Sequence, residues 1–208
     1  MSDTLDVITL AEAHKAINLP DDAMAHDVAI AALVTAISQG LDDMAGPIVQ
    51  RTITDEPHDG GCTSLGLRHA PVVSVASVTE YSGTVSLVLT AESNAVKTSS
   101  NFYFDPVTSR VYRRAGGWDY MFAQGRGNVL VTYVAGRATS TATVASKFKE
   151  AAKLTCLHLW KPKSGQWAQS MPQFGGDAVP ATSPVPGWAF PRAALDLIRN
   201  DLKTDGFA

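Results

Sequence analysis

From Arg51 to Tyr133 the chain is written in short runs of Val, Thr, Tyr and Phe broken by Gly, Asp, Pro and Ser, the grammar of an antiparallel sheet. The expected strands are 64–68, 72–81, 85–90, 101–104, 110–114 and 128–134. Val73 and Val75, introduced by Pro71, and then Val78 one residue out of step, mark a half-buried strand. Ser82-Gly83-Thr84 turns it back into Val85–Leu89 as a hairpin. Asp105-Pro106-Val107-Thr108 supplies a second turn, between Phe102-Tyr103-Phe104 and Val111-Tyr112. Ala115 to Asn128 sets glycines around Trp118, Tyr120, Met121 and Phe122. This stretch is expected to be an exposed, mobile loop with an aromatic tip, and exposed aromatics call for a partner.

Helical patterning flanks the β region. Thr9-Leu10-Ala11-Glu12 has the form of a capping box, so a short helix is expected over 9–17, stopped by Asn18-Leu19-Pro20. Asp21, Asp22 and Asp27 offer caps for an Ala-rich helix running from 22 or 27 to 45, which Gly46-Pro47 ends. Val144, Phe148, Ala151, Ala152, Thr155 and Leu159 mark one face of a helix over 143–161, widened by Leu154, Cys156, Leu157 and Trp160. Residues 162–190 are rich in Pro and Gly and read as an extended arm, along which Trp167, Phe174, Trp188 and Phe190 are spaced. A last helix from Pro191 to about 203 shows Leu195, Ile198 and Leu202 on one face and is too short to stand alone. The expected class is α+β: a bundle of three main helices with an inserted antiparallel β region and an extended C-terminal arm ending in a short helix. The expected divisions are a core over 1–161, the arm over 162–190, and a docking helix with tail over 191–208.

Composition narrows the function classes. Of 208 residues 45% are apolar and 18% charged, which suits a folded protein. A net charge of −3 with dispersed Lys and Arg supplies no basic stripe for gripping DNA. Residues 1–25 show no basic start followed by an apolar run, and no membrane span is expected, so the expected site of synthesis and folding is the cytosol. Cys62 and Cys156 are read as free thiols.

Three stretches, taken in order, resemble the head–tail adaptor, or head–tail connector, family of tailed bacteriophages. The first is Ile8-Thr9-Leu10-Ala11-Glu12-Ala13 through Leu19-Pro20-Asp21-Asp22, followed by the Ala-rich helix and Arg51. The second is Ala70-Pro71-Val72-Val73-Ser74-Val75-Ala76-Ser77-Val78 and the third Asn128-Val129-Leu130-Val131-Thr132-Tyr133-Val134-Ala135-Gly136. The enlarged segment from Tyr81 to Gly127 and the arm after Pro162 depart from the compact family pattern. The resemblance implies a structural protein of the virion neck, assembled in the host cytoplasm. It implies a ring of about twelve copies between the portal and a stopper or tail-completion protein, through which DNA passes without sequence-specific binding.

Candidate site residues follow from that frame. Trp167, Phe174, Trp188, Phe190, Leu195, Ile198 and Leu202 are assigned to portal binding, and Trp118, Tyr120, Met121, Phe122 and Arg126 to a loop facing a neighbour or the tail. Asp42, Asp43 and Glu150 are candidates for the channel wall, where acidic groups would repel phosphates. Arg110, Arg113, Arg114 and Arg126 flank the aromatic loop; they either meet acidic partners or phosphates, or keep a β face soluble. Asp55, Glu56, His58, Asp59 and Cys62 form a local group of ligand-capable residues, but the donors are mixed and set in a Gly-rich turn, so a solvated loop without metal is expected. No phosphate-loop order and no Gly-x-Ser-x-Gly elbow occurs. Neither catalytic residue nor cofactor is expected. The competing readings are another neck protein, a stopper or tail-completion factor, and a monomeric metal-binding hydrolase using residues 55–69.

Overall fold

A computed structural model describes residues 5–20, 24–163 and 190–202. The chain forms two compact units, one made of Met1–Ala45 with Ser140–Ala208 and the other of Gly46–Thr139.

The first unit is helical. Thr9 caps α1 (Leu10–Ala16) as the sequence requires: the Glu12 amide donates to Thr9 Oγ1 at 3.2 Å and the Thr9 amide donates to Glu12 Oε2 at 2.9 Å. A single 3₁₀ turn, Met24–His26, leads into α2 (Asp27–Ala45), and a second, Thr141–Thr143, precedes α3 (Ser146–Lys163). Met24–Ala45 is long and apolar enough to cross a membrane by composition, contrary to the expectation that the chain holds no such stretch. Here Ile30, Leu33, Val34, Ile37 and Leu41 are instead buried within the unit. Polar ties fix the helices: Lys149 Nζ lies 3.0 Å from Glu12 Oε1, and His14 Nε2 lies 3.0 Å from Asp27 Oδ1. Trp160 meets the edge of His26 at 5.6 Å between ring centres. Cys156 is a buried free thiol, and burial pushes its pKa up to about 11, so it packs as a small apolar group.

The second unit is a sheet with a core of its own. Its strands are β1 (Arg51–His58), β2 (Ser64–Gly66), β3 (Val72–Ser82), β4 (Val85–Ala91), β5 (Asn101–Asp105), β6 (Arg110–Ala115), β7 (Trp118–Asp119) and β8 (Val129–Ala135). They lie in the order β1-β8-β3-β4-β5-β6-β2, with β7 beside β6; every pair is antiparallel except β4–β5. In β8, Val129, Val131, Tyr133 and Ala135 alternate inward with period two, as a strand between two neighbours demands. They join Leu65, Val78, Leu89, Phe102, Val111 and Phe122 in one apolar cluster. The Ser82-Gly83-Thr84 turn and the Asp105 turn both form as expected; Asp105 accepts from the Val107 amide at 3.0 Å and the Thr108 hydroxyl at 2.6 Å.

The expected three-helix bundle with an inserted β region is therefore corrected. Among the described residues there are four α-helices and an eight-stranded, mostly antiparallel sheet. The sheet is too large and too well centred on its own core to be an appendage of a bundle. The fourth helix, α4 (Arg192–Ile198), followed by a 3₁₀ turn over Arg199–Asp201, packs on α3. Seven residues cannot hold a helix alone; Ala194 and Ile198 are buried in the helical unit, and Asp201 pairs with Lys147.

Candidate functional site

The Gly-rich segment after β6 is one place where the β unit turns apolar side chains outward. β7 begins at Trp118, which is 79% exposed, and Tyr120 and Met121 follow, both exposed. The chain then reverses character. Phe122 is 1% exposed and sits in the core, its amide donating to the Cys62 carbonyl at 2.9 Å. Phe122 thus anchors the loop from inside and is corrected from a partner-facing residue to a packing one. The expected mobile loop is pinned along its length, and an open cleft of about 640 Å³ is lined by Thr63, Glu80, Tyr120, Met121 and Phe122 among others.

Charge does the pinning. Arg113, buried on β6, donates through Nη2 (2.9 Å) and Nε (3.2 Å) to Oε1 of Glu80 on β3. Its Nη1 donates to the carbonyls of Ser99, Asn101 and Arg114. The other Glu80 oxygen accepts the Ala123 amide at 3.3 Å, and the guanidinium lies 5.5 Å from the centre of the Tyr120 ring. A planar fork with five donors can be satisfied at a buried site only by such a ring of acceptors. Arg114 pairs with Glu92 at 2.8 Å and with Asp119, and the hydrogen bonds to Glu92 and Asp119 raise its pKa. Two of the four arginines read as flanking the aromatic loop therefore meet acidic partners within the chain. Arg110 donates to Ser64 Oγ at 3.3 Å, and Arg126 is exposed.

A second polar group lies under the edge strand β1; it holds Glu56 and His58 of the ligand-capable group read at 55–62, joined by Tyr133 and His69 from outside that stretch. The bulge at Asp55, whose φ is +52°, flips the facing pattern of β1. Before it Arg51 and Ile53 point toward the covered side; after it Glu56 and His58 do, both buried. The Tyr133 hydroxyl donates to Glu56 Oε2 at 2.5 Å, the Arg68 amide donates to Oε1 at 3.3 Å, and His69 Nε2 stands 3.8 Å from Oε2. His58 Nε2 is 2.7 Å from Oε1, close enough for an ion pair but without the in-line approach of a hydrogen bond. Burial pushes the His58 pKa below the usual histidine value, against the attraction of Glu56, and it raises that of the Tyr133 hydroxyl. The expected solvated loop over 55–62 is accordingly half strand and half buried polar cluster. Among the described residues no group of three His, Cys, Asp or Glu side chains is placed to hold a metal ion.

The remaining candidates separate by position. Phe190 is half-buried with its ring against Gly40 of α2, where a Cβ would come within 2.8 Å of Cζ. Leu195 and Leu202 are half-buried, and Ile198 is fully buried. Trp167, Phe174 and Trp188 lie outside the described residues. Asp42 is buried, whereas Asp43 and Glu150 are exposed, Glu150 paired with Lys153 at 2.8 Å.

No protein-family model matches the chain, and no curated protein matches it. Solved structures do. One chain, from the neck of an empty GTA particle computed with C6 symmetry, is 17% identical and superposes with a TM-score of 0.58 over 94% of this chain and 89% of that one. The fold is shared with a neck component. Lower likenesses are to a chain of the virion of a native gene transfer agent (GTA) particle (18% identity, TM-score 0.48, 84% of each chain) and one of the neck of a native GTA particle computed with C12 symmetry (15%, 0.44, 96% and 94%). At 17% identity the likeness speaks for the fold.

Proposed function

We propose that this protein is a structural component of the neck of a phage or phage-like particle, acting as the head–tail adaptor. The observation that carries the reading is the superposition over 94% of the chain on a neck protein, which agrees in kind with the three ordered stretches read from the sequence. In this role copies close into a ring of about twelve between the portal and a stopper or tail-completion protein, and the ring continues the DNA channel.

The surfaces fit such work. Trp118, Tyr120 and Met121 stand exposed on a loop whose root is locked by Phe122 and the Glu80–Arg113 pair, a rigid aromatic contact suited to a neighbouring subunit or tail protein. The C-terminal region remains the proposed portal contact, through Trp167, Phe174 and Trp188 and the part-exposed sides of Phe190, Leu195 and Leu202. Asp43 and Glu150 are the exposed acidic candidates for the channel wall. A charge of −3 per copy, repeated round a ring, lets DNA slide.

The test is electron microscopy and mass measurement of the full chain mixed with the portal of the same particle. A ring seated on the portal supports the adaptor role. A ring that binds only the tail-side proteins makes this a stopper, and a monomer indifferent to both overturns the reading.

A further inference from the structure

Among the described residues, no strand covers the outer edge of β4 over Val85–Leu89. The hairpin closes at Ser82 opposite Val85, with Glu80 opposite Leu87 and Val78 opposite Leu89. In an antiparallel hairpin with a two-residue loop, the closing pair and every second pair after it exchange backbone hydrogen bonds. Val85, Leu87 and Leu89 therefore turn their backbone groups toward β3, and Ser86, Val88 and Thr90 turn theirs away. Thr90 shows that direction directly, its amide donating to the Ser100 carbonyl at 2.9 Å on the far side. Yet β5 pairs only with Thr90 and Ala91. Among the described residues, the N–H and C=O groups of Ser86 and Val88 have no strand beside them.

The strand itself carries no defence of this edge. Proteins protect open edges with charges, prolines, bulges or short strands. The edge strand β1 has a bulge at Asp55 and carries Pro57, and β2 and β7 are three and two residues long. From Tyr81 to Ala91 there is no charged residue, histidine or proline, and the register with β3 is unbroken. The side chains are as open as the backbone: Val85 is 67% and Val88 64% exposed, on opposite faces of the strand.

We propose that β4 accepts an extended, uncharged strand from a different polypeptide, which adds to the sheet alongside Val85–Leu89. Main-chain bonds to Ser86 and Val88 would hold it, and apolar side chains on both of its faces would cover Val85, Leu87 and Val88. A charged strand would set its charges against these valines without partners. Among the described edge strands, β1 is blunted by its bulge and β2 and β7 are too short to serve. Pairing of β4 with β4 of another copy is two-fold and ends at a dimer. That pairing does not build the ring proposed above, and in this respect the choice of occupant rests on that reading.

The test uses the full chain and a capped, uncharged heptapeptide of alternating Thr and Val as the probe strand, with amide hydrogen exchange read at single residues. The peptide is expected to slow exchange at Ser86 and Val88 on the order of tenfold. A Val88→Lys chain, with an unchanged melting temperature, should lose that protection. Exchange at Ser86 and Val88 that does not respond to the peptide overturns the edge as a docking site, and says nothing against a ring seen on the portal. A dimer that forms without peptide and is abolished by Val88→Lys overturns the assignment of a different polypeptide.

Discussion

Tyr133 donates its hydroxyl to Oε2 of Glu56 over 2.5 Å, from the inner strand β8 to the neighbouring edge strand β1. The same hydroxyl oxygen accepts the His69 amide at 3.3 Å, so one phenol fixes both the edge strand and the segment that leads into β3. Tyr133→Phe keeps the ring in the core and removes the donor from a buried carboxylate. We expect a loss of about 1–3 kcal/mol in urea unfolding. Amide exchange should quicken in β1 while the β3–β4 hairpin is unchanged. Equal quickening in both would mean that the phenol supports the core in general and not the edge.

His58 makes the stability of the β unit depend on pH. Burial holds its pKa below the unfolded value near 6.5, so the unfolded chain takes up a proton before the folded one does. The contribution is present above 6.5 and is lost as pH falls through the folded value beneath it. His58→Gln should flatten the fall in melting temperature below pH 6.5 while leaving values at pH 8 nearly parallel. A slope as steep as in the parent chain would place the titration elsewhere.

These two residues also show what the sequence could and could not disclose. The capping box at Thr9, the period-two burial of β8 and the hairpin at Gly83 are local codes, legible because each needs only its neighbours. The strand β1 was hidden, because Arg51-Thr52-Ile53-Thr54-Asp55-Glu56-Pro57-His58 alternates poorly until a bulge shifts its phase, and a bulge is set by the partner strand. Phe122 looked like its exposed neighbours, since a Gly-rich loop carries no periodicity to say which aromatic turns inward. The docking of α4 on α3 was equally silent: Ile198 reads the same whether it covers its own chain or another.

The buried pair of Glu80 and Arg113 is expected to be costly to break. Arg113→Leu leaves Glu80 without its cation and three carbonyls without their donor. A loss of about 3–5 kcal/mol is expected, with Tyr120 and Met121 loosened. Adding Glu80→Leu should recover only part of it, because the carbonyls of Ser99, Asn101 and Arg114 still lack the bond from Arg113. A double-mutant cycle in chemical unfolding measures the difference. Full recovery would show that the Arg113 bonds to backbone carbonyls contribute little.

Trp118→Ala should leave the fold alone. Its side chain is 79% exposed, so the melting curve should move by no more than about 0.5 kcal/mol. If the aromatic loop is a subunit or tail contact, the same change weakens ring closure or tail attachment, read by sedimentation of the mixed complexes. Assembly at the parent level would remove Trp118 from the proposed interface.

Ile198 must be separated from the portal contact before the C-terminal region can be tested. Cutting the chain at 162 would remove the proposed arm, but it would also strip α4 from α3 and uncover the groups that Ala194 and Ile198 bury. Failure of such a truncation to join a portal would then report unfolding as readily as a lost contact. Ile198→Ala is expected to cost about 2–5 kcal/mol in the helical unit. Gly40→Val should displace the Phe190 ring, whose Cζ would lie 2.8 Å from the new Cβ. Trp188→Ala, in the arm itself, is the informative variant: portal attachment should fall with the melting temperature unchanged. Attachment that instead falls only in step with the stability lost in Ile198→Ala and Gly40→Val would confine the C-terminal region to holding the helical unit together.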